Sequence, residues 1–210
     1  MIKSFNLPLR LAEVEFTEKK SRFISSISPV SSEEEALAFL RSIREKHREA
    51  SHHVYAYKVM ETLGRVLCRH SDDGEPSGTA GAPLLDVFEK RGIFDFCCVA
   101  TRYFGGVLLG AGGLVRAYSR CGALALDESG VGVMQEMAVC AVALPYSLYE
   151  PVKRLMAECG ADTVSEDFGA EVAIEFLIAA GDLPKLKTKL REQSSGAVCI
   201  REIGTQLRAK

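Results

Sequence analysis

Two glycine-rich stretches hold most of the side chains that could do chemistry: His70–Gly81, HSDDGEPSGTAG, and Thr101–Tyr118, TRYFGGVLLGAGGLVRAY. Glycine loses the most conformational freedom on folding. Such density is costly unless a backbone must approach something closely or take a positive φ. A ligand surface is one reading and a set of tight turns is the other. The first stretch carries Asp72, Asp73 and Glu75, then Ser77 and Thr79. The second carries Gly105, Gly106, Gly110, Gly112 and Gly113 between an apolar run and a helical pattern. Arg102 precedes these glycines, and Arg116 and Arg120 follow at i, i+4 on one helix face.

The carboxylates of the first stretch do not fit a calcium loop, which needs acids at alternate positions and a closing Glu, so no metal is expected. Ser77–Gly81 reads instead as exposed amides and hydroxyls leading into a helix, where unsatisfied N–H groups and the dipole favour an anion. The second stretch is neither a P-loop nor a well-placed G-x-G-x-x-G fingerprint. Arg102 and Arg116, with Arg120, could hold a phosphate bidentately or form a solvated basic face. Tyr103, Phe104 and Tyr118 read as core, with Tyr103 beside Arg102 a candidate stacking surface. Ser77 and Thr79 have no assured base, and Cys68 has no histidine partner in sequence. No catalytic residue is therefore assigned.

Histidines enter through a hairpin. His53–Met60 and Arg65–His70 read as strands joined by a turn at Glu61–Gly64. That register sets His52 and His53 opposite Asp72 and Asp73. An imidazole and a carboxylate within reach could act as an acid–base pair, hold a metal or merely satisfy loop amides. Because successive strand residues face opposite ways, at most one His and one Asp share a face.

The elements that would position these groups are legible around them. Ser21–Ile27 is a strand. Ser31 and Ser32, followed by Glu34 and Glu35, form a capping-box signature for a helix to about Glu49. Pro83 suits the first turn of a short helix that Gly92 ends. Ile93–Arg102 is a buried strand, and a helix covers about Leu114 to Glu128. Beyond residue 134 the pattern restarts: strand Met137–Leu144, helix Tyr149–Cys159, strands Asp162–Asp167 and Glu171–Ile178, helix Leu183–Gln193 and strand Ala197–Ile203. That βαββαβ order is the split-βαβ, ferredoxin-like plan. The expected domains are 1–134 and 135–210, in an α+β chain. The second carries no loop chemistry and reads as an interaction or structural module.

The composition is that of a globular chain, 47% hydrophobic and 26% charged, able to bury a core. A net charge of −2 argues against a surface wrapped in nucleic acid and leaves room only for a local basic patch. Seven cysteines without CxxC spacing, four of them in apolar strand-like runs (Cys97, Cys98, Cys140 and Cys199), read as reduced core residues. Glu13 and Glu15 interrupt the N-terminal segment, and no run reaches the length of a membrane span. A cytoplasmic protein without a membrane partner is expected.

Three blocks, ASHHVYAY (Ala50–Tyr57), SDDGEPSGTAG (Ser71–Gly81) and TRYFGGVLLGAGGLVRAY (Thr101–Tyr118), resemble the signature blocks of the IMPACT family in its bacterial, YigZ-like members. The resemblance implies an N-terminal domain with the fold of the second domain of ribosomal protein S-five. It implies a C-terminal domain like the last, ferredoxin-like domain of elongation factor G. Eukaryotic members regulate translation. The expectation is therefore a translation-linked regulatory or binding protein whose glycine-rich loops contact the ribosome, an RNA or a translation factor. Kinases with glycine-rich phosphate loops share the N-terminal fold, so an enzyme acting on a phosphorylated small molecule or nucleotide is the alternative. The family brings no cofactor and no catalytic residues. The motif positions that carry over as binding candidates are His52, Asp72, Asp73, Glu75, Ser77, Thr79, Arg102, Gly105, Gly106, Gly110, Gly113 and Arg116.

Overall fold

The structure, a computed structural model, describes residues 4–60 and 65–209. The turn expected at Glu61–Gly64 lies outside the described residues. The chain is α+β and divides into two compact units between Val133 and Met134. The first unit contains β1 (Ser4–Pro8), β2 (Ala12–Glu18), β3 (Ser21–Pro29), α1 (Glu33–Lys46), β4 (His52–Met60), β5 (Val66–Ser71), α2 (Gly81–Lys90), β6 (Phe96–Tyr103) and α3 (Ala111–Ser129). Its sheet runs β2-β3-β6-β4-β5, and all its pairings are antiparallel.

Sequence reading missed β1 and β2. The signal for β2 was there: Ala12, Val14 and Phe16 alternate with Glu13, Glu15 and Thr17, and the apolar set packs on the core. For α1, Ser32 is the N-cap, and its Oγ accepts from Glu35 N at 3.2 Å. Glu35 reaches one residue further back than the capping box predicts, accepting from Ser31 N at 2.7 Å. The helix ends at Lys46, three residues short of the expected Glu49.

β6 is central and buried along both faces. Cys98 and Ala100 lie with Phe23, Leu84, Phe88 and Tyr118 in the core under α2 and α3. Cys97 and Val99 lie with Leu40, Ile43 and Val59 under α1. The sheet is therefore the middle of three layers, and its alternation sorts even and odd residues of β6 to opposite cores. β5 and β6 both run antiparallel to β4, hence parallel to each other. The Ser71–Gly81 and Phe104–Gly110 segments leave those two strands at the same edge of the sheet, and each enters a helix on the same face.

The second unit follows the order β7 (Val131–Leu144), α4 (Tyr146–Glu158), β8 (Asp162–Phe168), β9 (Val172–Ala179), α5 (Leu183–Gln193), β10 (Ile200–Ala209). β7 straddles the division and pairs with β9, which pairs with β8; β10 and β1 also pair with β7. β7 begins six residues before the expected Met137, and the last strand starts at Ile200 rather than Ala197. The core sets Cys140, Val142, Ile174 and Phe176 against Val152, Met156, Leu186 and Leu190 of α4 and α5. Gly160 ends α4 at φ +72, the left-handed stop its position suggested. Cys97, Cys98 and Cys140 are buried free thiols, but Cys199 is exposed. The expectation that Cys199 is core fails because it sits in the turn region ahead of β10. No helix among the described residues is long and apolar enough to cross a membrane.

Candidate functional site

The hairpin brings histidines and acids together with a different division of labour from the expected one. The register pairs Tyr55 with Ser71 and Met60 with Val66, so opposed residues sum to one more than the turn at 61–64 suggested. By that count Asp73 falls opposite His53 and Asp72 opposite Val54. His52 Nδ1 lies 2.9 Å from the Asp73 carbonyl oxygen. A carbonyl only accepts, so this nitrogen carries the proton. The Asp73 carboxylate accepts from His53 N at 2.7 Å and from Arg44 at 2.9 Å. The His53 imidazole points to the α1 face, with Nε2 donating to the His47 carbonyl at 3.1 Å. Burial lowers the pKa of both His47 and His53. A His–Asp proton-exchange pair is therefore not assembled: Asp73 holds backbone and arginine, and His53 Nδ1 remains 4.0 Å from it.

Asp72 is a cap. Its Oδ1 accepts from Ala80 N at 3.0 Å and Gly81 N at 2.8 Å, and its Oδ2 accepts from Gly78 N at 2.9 Å. Burial works to raise its pKa. The hydrogen bonds from Gly78, Gly81 and Ala80 outweigh that and hold it below the ordinary carboxylate value. The amides expected to attract an outside anion at the start of α2 thus already have one, supplied by the chain itself. Thr79 is buried and donates to the Pro76 carbonyl at 2.6 Å, while Ser77 is exposed.

Glu75 occupies the interior beneath both loops. Its Oε1 accepts from Arg102 Nη1 at 2.6 Å and from the Tyr118 hydroxyl at 2.6 Å. His52 Nε2 lies 3.9 Å from the same oxygen. Arg102 Nη2 donates to Ser21 Oγ at 3.2 Å, and that oxygen also receives Gly105 N at 3.4 Å. Arg102 is 4% exposed and Glu75 8%. Arg102 was expected on a shared phosphate surface with Arg116. It lies on the even, inward face of β6 instead, and its charge is answered by Glu75. Sequence reading also missed Ser21 and Tyr118 as members of this network. Tyr118 was placed in the core correctly, but a buried tyrosine needs a partner for its hydroxyl, and that need pointed toward a nearby acid.

What faces outward at this edge is the second loop. Phe104, expected in the core, is 48% exposed, and Leu108 is 82% exposed, with Val107 also open. Leu109 alone turns back into the core. Gly106 and Gly110 hold φ of +82 and +72, and Gly113 packs beside Leu109. Gly105 has no room for a side chain: a Cβ there would lie 1.9 Å from the Lys20 carbonyl oxygen. Gly110 stands at the N-cap of α3 without a side-chain cap, and Arg116 is exposed in the helix's second turn. The four thiols of the first unit are held against ionisation. Burial pushes Cys98 up to about 12 and raises Cys68, Cys97 and Cys121 as well.

Comparison with known proteins bears on this arrangement block by block. The Impact N-terminal domain matches residues 19–126, spanning the hairpin, both loops and α3. A domain of unknown function, DUF1949, matches residues 142–197. The IMPACT family member YvyE of Bacillus subtilis is 39% identical over 158 residues, covering 75% of this chain and 72% of that protein. The IMPACT family member YigZ of Escherichia coli is 30% identical over 197 residues, covering 94% and 97%. A crystal structure described as that of a hypothetical protein superposes with a TM-score of 0.62 at 30% identity, covering 97% of this chain and 99% of that one. Protein IMPACT of Mus musculus is 33% identical over 100 residues, 46% of this chain and 31% of that protein. With both loops, the capped acid and the buried arginine inside the matched region, the chain belongs to the IMPACT family.

Proposed function

We propose that this protein is a translation-linked binding protein that contacts the ribosome, an RNA or a translation factor through the Phe104–Gly110 loop. Family membership supports the translation link, since eukaryotic relatives are translation regulators. One observation carries the choice of binding surface. At the sheet edge where both loops emerge, the acid–base candidates are consumed internally, while Phe104, Val107 and Leu108 face solvent. Exposed apolar side chains on a glycine-rich loop suit recognition by contact. Asp72, Asp73 and Glu75 serve the architecture that holds the loop. The same reading takes the first unit as having the fold of the second domain of ribosomal protein S-five. It takes the second unit as ferredoxin-like, supported by its βαββαβ order and its β10-β7-β9-β8 strand sequence.

Sedimentation of the tagged protein with ribosomes across a salt series, with bound RNA sequenced, tests the reading. Wild type should co-sediment, and Phe104→Ala/Leu108→Ser should lose most of that association while keeping its circular dichroism. Equal association of the two proteins would remove the loop from the mechanism.

A further inference from the structure

We propose that the β2–β3 turn, Lys19–Lys20, acts with Arg116 and Arg120 of α3 as a cationic track for single-stranded RNA, with Phe104 beside it as a stacking surface. This rests on the translation-linked reading above and names the ligand chemistry of the same edge. Four observations carry it. First, Glu18 and Ser21 are paired, so only Lys19 and Lys20 connect the strands, and both take positive φ, +45 and +67. Two successive positive φ values define the hairpin turn that favours Asn-Gly, because a Cβ is crowded in that conformation. Two lysines stand where they are sterically disfavoured.

Second, the glycine loop rests on this turn. A Cβ on Gly105 would meet the Lys20 carbonyl oxygen at 1.9 Å and its carbonyl carbon at 2.1 Å. The turn and the loop bearing Phe104 are therefore one surface. Third, α3 lies along β2: the Arg120 guanidinium sits over the Phe16 ring at 4.5 Å. Arg116, one turn nearer the loop, has Nη1 3.6 Å from where a Cβ on Gly112 would be. Fourth, two of the three acids of β2 are held elsewhere, and Glu18, beside the turn, pairs with none of these cations. Glu15 holds Arg22 and Glu13 holds Lys46. Among the described residues, no carboxylate pairs with Lys19, Lys20, Arg116 or Arg120.

Four cations with no carboxylate partner among the described residues, gathered at one edge of a chain with net charge −2, are a local concentration, not a general property of the surface. Protein interfaces are depleted in lysine, whereas phosphate backbones are tracked by lysine and arginine. An exposed aromatic ring next to such a track suits unpaired bases, which every nucleotide can present to it.

The test uses the full chain and a labelled oligouridylate. Lys19→Asn/Lys20→Gly gives the turn its preferred residues while removing both charges. Its thermal midpoint should rise. Its affinity should fall about 25-fold at 0.1 M salt, and the slope of log K against log salt should flatten by about 1.4, the loss of two single-strand phosphate contacts. Lys19→Gln/Lys20→Gln, which keeps the turn's steric class, should show the same loss of slope. Gly105→Ala, which displaces the turn, should also weaken binding. Unchanged affinity and slope in both lysine pairs would overturn the proposal while leaving ribosome association, and the reading above, standing. The same holds if wild type sediments with ribosomes but ignores oligouridylate. Equal competition by poly-glutamate would overturn the assignment to RNA. Failure of wild type to bind either ribosomes or oligouridylate would overturn both.

Discussion

Arg102→Ala should unfold this protein more readily than any surface change. Arg102 and Glu75 are nearly sealed from water, with side chains 5% and 4% exposed, and they meet at 2.6 Å. Glu75 has one other donor on the same oxygen, Tyr118. Removing the guanidinium leaves a buried carboxylate facing a single hydroxyl, and breaking such a pair costs about 3–5 kcal/mol. With a urea dependence of about 2 kcal/mol/M, the midpoint of the first unit's transition should fall by roughly 1.5–2.5 M. Glu75→Gln should cost a similar amount by stranding the arginine. Arg102→Met/Glu75→Leu should cost far less than the two single changes added, because neither charge is then buried alone. Amide exchange resolved on β4 and β6 reads the first unit separately from the second, so that two transitions are not merged. A loss below about 1 kcal/mol for both single variants, or simple additivity in the double, would refute the claim that this pair holds the loops.

The other predictions concern acid, caps and thiols. Asp72 has a folded pKa below its ordinary 3.8, so its contribution is complete above that value and is lost as pH falls through the lower folded one. The acid limb of stability against pH should flatten in Asp72→Asn, and an identical limb would show that the three amide bonds carry no weight. His53 is lowered from 6.5 by burial, so the unfolded chain binds more protons in that range and stability should decline as pH drops below 6.5. His53→Gln should remove part of that decline in the same titration. Ser32→Ala should cost about 1 kcal/mol through loss of the α1 cap, read by urea midpoint at constant slope. In native protein, Cys199 should react with a thiol reagent first, while Cys97, Cys98 and Cys121 react only on unfolding. Mass mapping of the labelled peptides decides this.

Elements with a local signature were legible from sequence: the Ser32 cap, the stops at Gly92 and Gly160, and the helix at Leu183–Gln193 were each read from a few adjacent residues. β1 was missed because five residues carry little periodicity. β2 is half-exposed and carries three glutamates among seven residues, so its alternation is easily read as a charged surface segment. Strand order places the hairpin mouth and the starts of both loops at one end of the sheet, and the contacts there join His52, Asp73, Glu75 and Arg102. Their roles were not legible. Whether Arg102 faces solvent or core depends on the parity of a strand buried on both sides, and nothing in FCCVATRY distinguishes its faces. Whether Asp72 binds a ligand or caps a loop depends on one residue of register.

The clamp between Glu75 and Arg102 also bears on motion. Glu75 belongs to the first loop and Arg102 to the strand end from which the second departs, while Tyr118 ties both to α3. Three segments distant in sequence are thus pinned at one internal point. A partner pulling on Phe104 or Leu108 cannot peel the loop from its base without also dragging the first loop away from its seat. The segment left between that anchor and Leu109, which plugs back into the core, is only a few residues long. The loop is a short tether fastened at both ends, so a partner binding there as proposed would meet a nearly fixed shape rather than a loop that must first be ordered.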